Sequence, residues 1–158
     1  VLDGTVTQIR PFRTGDEAAL VALWASCDLL RPWNDPYKDI QRKVDVRDGL
    51  LLVAEADGAI VGSVMAGYEG HRGWINYLAV APDRRRRGLG RLLMHEAEVR
   101  LEAAGCPKIN LQIRTGNAAV VAFYEALGYR VDDVVSLGKR LVDDERSGDR
   151  AMSDGSAV

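Results

Sequence analysis

Two cysteines and two histidines are all that this chain of 158 residues offers to metals or disulfides. Cys27 and Cys106 stand alone without metal-ligand spacing, and His71 and His95 lie 24 positions apart. No metal site is expected, and the thiols read as reduced cysteines of a cytoplasmic protein. No apolar run approaches the roughly 20 residues of a membrane helix, and no secretory signal pattern opens the chain. Charge of one sign is also missing: 21 basic against 23 acidic residues leave a net −2. That balance gives no general pull toward nucleic acid or an anionic membrane, and neither is expected as a partner.

What is present suits a single α/β domain: 47% apolar residues, 28% charged, and a length able to bury one core. The chain is organised around residues 74–104. Trp74-Ile75-Asn76-Tyr77-Leu78-Ala79-Val80 is β-branched and aromatic, as a strand requires. Ala81-Pro82-Asp83 breaks it, since proline has no N–H for a ladder. Four arginines follow, Arg84 to Arg87, then Gly88-Leu89-Gly90. From Leu89 the apolar positions Leu92, Leu93, Ala97, Leu101 and Ala104 recur at helical spacing until Gly105.

A strand, a basic glycine loop and a helix in that order make a phosphate site. The first helical turn leaves backbone N–H groups without partners and carries partial positive charge. Glycine lets a phosphate approach, and arginine adds charge-assisted hydrogen bonds. Two other phosphate loops are excluded: there is no Gly-Lys-Ser/Thr, and Leu93 stands where a dinucleotide fingerprint needs its third glycine.

Elsewhere the pattern predicts a strand at residues 9–12 and a helix capped by Asp16, with Leu20, Leu23 and Trp24 on its stripe. A loop with two prolines spans 29–36, and a short helix 39–46. Two strands, 50–55 and 59–68, meet at the Asp57-Gly58 turn. Residues 108–114 alternate as a strand, 118–127 form a helix opened by Asn117, and 129–141 supply one or two last strands. Beyond Asp143 the chain is charged and Gly/Ser-rich, so 146–158 is expected to be a disordered tail behind a domain of residues 1–145.

Arg85-Arg86-Arg87-Gly88-Leu89-Gly90 resembles the Arg/Gln-x-x-Gly-x-Gly/Ala signature of the GNAT (GCN5-related) N-acetyltransferases, preceded as there by Leu-x-Val-x-Pro. Asn117 and Phe123-Tyr124-Glu125-Ala126-Leu127-Gly128-Tyr129 are similar to the family's second landmark. Cys27 to Pro36, Gly70-His71-Arg72-Gly73 and Ser136 to Leu141 resemble the YpeA branch of bacterial GNATs, so the likeness spans residues 9–145. It implies a mixed, mostly antiparallel central sheet, flanked by helices, whose central strands splay apart to admit coenzyme A. It also implies acetyl-CoA as cofactor and direct acetyl transfer to a primary amine, on a small molecule or on a protein lysine or N-terminus. Members often dimerise, which leaves a homodimer open.

Carried over by position, the resemblance assigns the pyrophosphate to N–H groups of Arg85, Arg86, Arg87, Gly88, Leu89 and Gly90. Arg85 and Arg87 act as side-chain partners, and Arg86 stands where many members have glycine. Backbone groups of Leu78, Ala79 and Val80 would pair with the pantetheine arm, as would Asn117, whose other reading is a plain helix cap. Tyr124 takes the general-acid position, because tyrosine with a pKa of about 10 carries a proton at neutral pH. The base is left open. Trp74 and Gln112 replace the family's acidic positions, and Glu69 is the first candidate, ahead of Glu55, Asp35 and His71. Trp33, Asn34 and Asp35 would wall the acceptor pocket, with Asp35 facing a cationic amine. A GNAT-fold acyl-CoA-binding module without catalysis is the alternative, and an RNA-binding arginine patch a weaker third.

Overall fold

A computed structural model describes residues 7–144. Five strands form one sheet in the order β1-β2-β3-β4-β5: β1 (Thr7–Pro11), β2 (Leu51–Ala56), β3 (Ala59–Tyr68), β4 (Gly73–Val80) and β5 (Ile109–Leu111). Neighbours are antiparallel up to β4, and β5 runs parallel to β4. The helices are α1 (Glu17–Ser26), α2 (Pro36–Val46), α3 (Leu89–Ala103) and α4 (Ala118–Ala126).

The sheet is covered on both faces, and β2 shows why its run Leu-Leu-Val-Ala is apolar throughout. Leu52 and Ala54 join Leu93, Met94, Ala97 and Leu101 of α3, together with Tyr124 of α4. Leu51 and Val53 point the other way, onto Leu20, Leu23 and Trp24 of α1 and Ile40 of α2. Alternation along one strand thus builds two cores. Gly62 of β3 is where α3 comes closest: a Cβ there would stand 2.9 Å from the Leu93 side chain.

Three expectations change. Asp16 does not cap α1; its carboxylate accepts the Arg13 N–H at 2.8 Å and binds the Arg10 guanidinium at 2.7 Å, closing a short 3₁₀ turn instead. Helix α2 begins at Pro36 rather than Asp39, because Asp35 caps it and proline fits the first helical position. Residues 129–141 form no strand. Strand β5 is only three residues long, so its ladder ends before a partner could register, and side chains hold the segment instead. Lys108 Nζ meets Asp132 at 2.5 Å, and Gln112 bonds Ser136. The 146–158 tail lies outside the described residues, among which no helix is long and apolar enough to cross a membrane.

Candidate active site

The pairing of β4 with β5 stops at Ile75 and Leu111. Strand β4 continues five residues to Val80, so a gap on the order of 16 Å long opens along its free edge. Which backbone groups face that gap depends on a bulge. Ser63 pairs with Ala79 and Met65 with Asn76, leaving Tyr77 and Leu78 opposite Val64 alone. Before the bulge Gly73 turns its N–H away from β3, to Lys108 O at 2.8 Å. After it, Ala81 N–H bonds Val61 O at 2.9 Å, so by alternation Ala79 also faces β3 while Leu78 and Val80 face the gap. The structure therefore turns Leu78 and the Val80 N–H to that edge, where the Val80 carbonyl already accepts Arg85 Nε at 3.2 Å and the Cys27 thiol at 3.3 Å, and it commits the backbone of Ala79 to the sheet.

Tyr77 adopts a left-handed conformation (φ 50°) that a bulky residue avoids unless its surroundings hold it there. Three contacts do so. Its ring stacks on Trp24 at 3.9 Å, its hydroxyl donates to Asp39 Oδ2 at 2.7 Å, and its carbonyl accepts the Ser63 hydroxyl at 2.9 Å. Ser63 in turn accepts the buried Trp24 Nε1–H at 2.9 Å. Burial, and then the Asp39 carboxylate, push the Tyr77 phenol well above its ordinary pKa, so it stays a donor. Sequence reasoning missed this clamp, whose members lie 14 to 53 residues apart.

Beyond β4, the loop meets the start of α3. Gly88 has φ 80° with open space around it, and no side chain caps α3, whereas Asp35 and Asn117 cap α2 and α4. An uncapped helix start behind an open glycine fits a pyrophosphate. Gly90 serves a different end: a Cβ there would sit 3.3 Å from the Phe123 ring, so its bareness lets α4 pack on α3. The arginines divide as well. Arg84 turns back toward Asp57 and Asp83, Arg85 Nε donates to Val80 O at 3.2 Å, and Arg86 and Arg87 lie exposed at the helix mouth.

Arg86 is in the left-handed region (φ 61°), which accounts for glycine being common there in the family it resembles. Relieving that strain is worth roughly 1 kcal/mol. Arg86→Gly is expected to leave the protein as stable or up to about that much more stable in urea unfolding, while weakening its hold on a phosphate ligand.

Tyr124 belongs to the core on the α3 side, with Phe123 and Tyr129 edge-on to its ring. Burial alone raises its phenol to about 12. Among the described residues its hydroxyl has no hydrogen-bond partner, yet no fully buried side-chain polar atom is left unpaired, so that hydroxyl reaches open space. Tyr129 differs: its hydroxyl donates to Glu98 Oε1 at 2.9 Å. Asn117 Oδ1 accepts the Val120 N–H at 3.4 Å, which leaves its amide nitrogen to donate.

The base candidates do not gather here. Glu69 and His71 sit in the β3–β4 turn, at the closed end of β4, with Glu69 Oε1 taking the N–H groups of His71 and Arg72. Glu55 binds Arg10 at 2.8 Å. Asp35 accepts the N–H groups of Tyr37 and Lys38 at 2.9 and 3.4 Å, so it serves the helix. Trp33 is 44% exposed, with Asn34 beside it, in the loop between α1 and α2. No group of three or more metal-binding side chains occurs among the described residues.

Residues 18–129 match the Acetyltransferase (GNAT) family. An acetyltransferase of Pectobacterium atrosepticum is 53% identical over 137 residues, covering 87% of this chain and 97% of its own. The solved structure of Chaetomium thermophilum Naa20 with a bisubstrate analogue superposes with TM-score 0.64 at 28% identity, covering 78% of this chain and 71% of its own. The aminoglycoside N-acetyltransferase AAC(6')-Iy in complex with CoA shares the fold, with TM-score 0.70 at 17% identity over 90% and 99% of the two chains. The chain belongs to the GNAT acetyltransferase family. It is an N-acetyltransferase whose cofactor is acetyl-CoA.

Proposed function

We propose that the protein transfers an acetyl group directly from acetyl-CoA to a primary amine while both are bound. The observation that carries this reading is the edge of β4 left unpaired beyond Ile75, which runs directly into the uncapped start of α3. Tyr124, in the core on the α3 side of the sheet, keeps a hydroxyl without a partner among the described residues. Acetyl-CoA supplies the activated thioester.

The N–H groups at 85–90 would hold the diphosphate, with Arg86 and Arg87 as outer cations. Leu78 and Val80 would order the pantetheine arm, and an N–H on that edge would polarise the carbonyl. Contacts of this type contribute on the order of 3 kcal/mol in well-studied enzymes. Tyr124 holds a proton on its phenol oxygen for the departing sulfur. No carboxylate among those considered reaches the gap, so an amine entering partly deprotonated meets the requirement without a strong base. Both thiols are occupied with backbone carbonyls, Cys27 at Val80 O and Cys106 at Lys108 O, each at 3.3 Å. That arrangement supports direct transfer over a cysteine-borne acyl group.

Acetyl-CoA at 100 times its dissociation constant should stabilise the fold by about 2.7 kcal/mol. A rise in melting temperature is the expected result, and an unchanged one overturns the cofactor site. Initial rates with both substrates varied should give intersecting reciprocal plots; parallel lines indicate a covalent intermediate instead.

A further inference from the structure

We propose that the acceptor is a small primary amine that also carries a carboxylate or phosphate, held by Arg114 and Arg140. The inference rests on the reading above and adds to it the chemical class of the acceptor. The α1–α2 loop is met by two arginines from distant parts of the chain. The Arg114 guanidinium lies 5.8 Å from the centre of the Trp33 ring, and Arg140 Nη2 donates to Asn34 Oδ1 at 3.2 Å. Trp33 and Asn34 are consecutive, so both cations come to one small stretch of loop.

Among the described residues, the acids on and beside this loop are committed elsewhere. Asp35 caps α2, and Asp28 faces Arg31 at 3.6 Å. Asp39 takes the Tyr77 hydroxyl and lies 3.4 Å from Arg42. Asp144 forms a two-point bond with Arg42 at 2.6 and 2.9 Å. Among the described residues neither Arg114 nor Arg140 forms an ion pair. Two guanidinium groups brought to consecutive residues of one loop without a counter-charge among the described residues suit an anion, which each can bind by charge-assisted hydrogen bonds.

Their place in the fold ties them to the reaction. The Arg114 carbonyl accepts the Asn117 N–H at 3.2 Å, in the turn that starts α4. Tyr124 lies seven residues further on, a helical rise of about 10 Å. Arg114, in the turn that opens α4, and the proton donor within α4 are thus carried by one short element. A short linear amine with an anion at its other end is the simplest ligand for that pair. The sequence suggested Asp35 for a cationic amine; on this proposal Asp35 serves only as the α2 cap, and the arginines take the anionic end of the acceptor.

The test is a panel of matched amines with acetyl-CoA. It sets 4-aminobutyrate against n-butylamine and 1,4-diaminobutane, and 3-aminopropyl phosphate against 3-aminopropanol. The anionic member of a pair should have the higher kcat/KM, by about tenfold or more and chiefly through KM. Carboxylate and phosphate arms separate the two sources of charge. In R114Q/R140Q the preference should fall toward one, and in R114K/R140K most of it should remain. Equal or better use of the neutral amine or the diamine overturns the proposal. So does transfer confined to peptides, or a preference that survives R114Q/R140Q. If acetyl-CoA raises the melting temperature and any amine is acetylated, the underlying reading stands even where the anion preference fails.

Discussion

Tyr124→Phe is expected to lower kcat by about 100- to 1,000-fold while leaving KM for acetyl-CoA within about twofold, because it removes a proton donor and little else. The ring stays in the core against Phe123 and Tyr129, so stability should hardly change. Rate and melting temperature measured on the same preparation separate the two effects. The pH dependence follows from burial, which pushes the phenol up to about 12. The neutral, proton-bearing form persists through the neutral range and is lost only as pH approaches that value. An alkaline fall in the wild-type rate below pH 10 would therefore belong to another group, and Tyr124→Phe should keep the shape of the profile at a lower level. Unchanged kcat in Tyr124→Phe would remove tyrosine from the reaction.

Trp24→Ala is expected to cost about 3–5 kcal/mol of stability, the range for deleting a buried tryptophan. That is a large share of the roughly 5–15 kcal/mol that holds a typical domain together. Trp24 is fully buried, stacks on Tyr77 and donates to Ser63. Its removal leaves a cavity and deprives the bulge of its backstop. Trp24→Phe keeps much of the stacking area but loses the N–H and part of the ring volume, so it should cost less than Trp24→Ala, about 1–3 kcal/mol. Urea unfolding checks both through the shift in midpoint at constant slope. If Trp24→Ala lost under 1 kcal/mol, Tyr77 would not be held as described.

Much of this arrangement was written locally. The helical stripe from Leu89 to Leu101 and the Asp57-Gly58 turn between two strands each carry their own physical signal, and each became the expected element. Asp35-Pro36 was a helix start hidden in plain sight: an acidic cap followed by proline is a known opening, but two prolines and a tryptophan in the stretch read more readily as loop. The strands expected at 129–141 failed for a different reason. Val131, Val134 and Val135 have strand character, but a strand exists only against a partner, and three-residue β5 does not supply one.

The site divides in the same way. Gly88 and Asn117 open α3 and α4, as the sequence pattern predicts. The Asp39–Tyr77 bond and the Arg114–Trp33 contact join residues 38 and 81 positions apart, a pairing no local pattern encodes. Glu69 is a contrasting case. It is close in sequence to β4, and its carboxylate accepts the N–H groups of His71 and Arg72 in the β3–β4 turn.

The doubled position at Tyr77 and Leu78 works as a phase switch for the chain beyond it. Remove one residue there, and every later amide on that strand would swap sides. The layers could still stack and the arginines would still be present, yet the edge meant for a guest would be spent inside the sheet. The capacity to receive a cofactor is in this sense counted in residues before it is spelled in side chains.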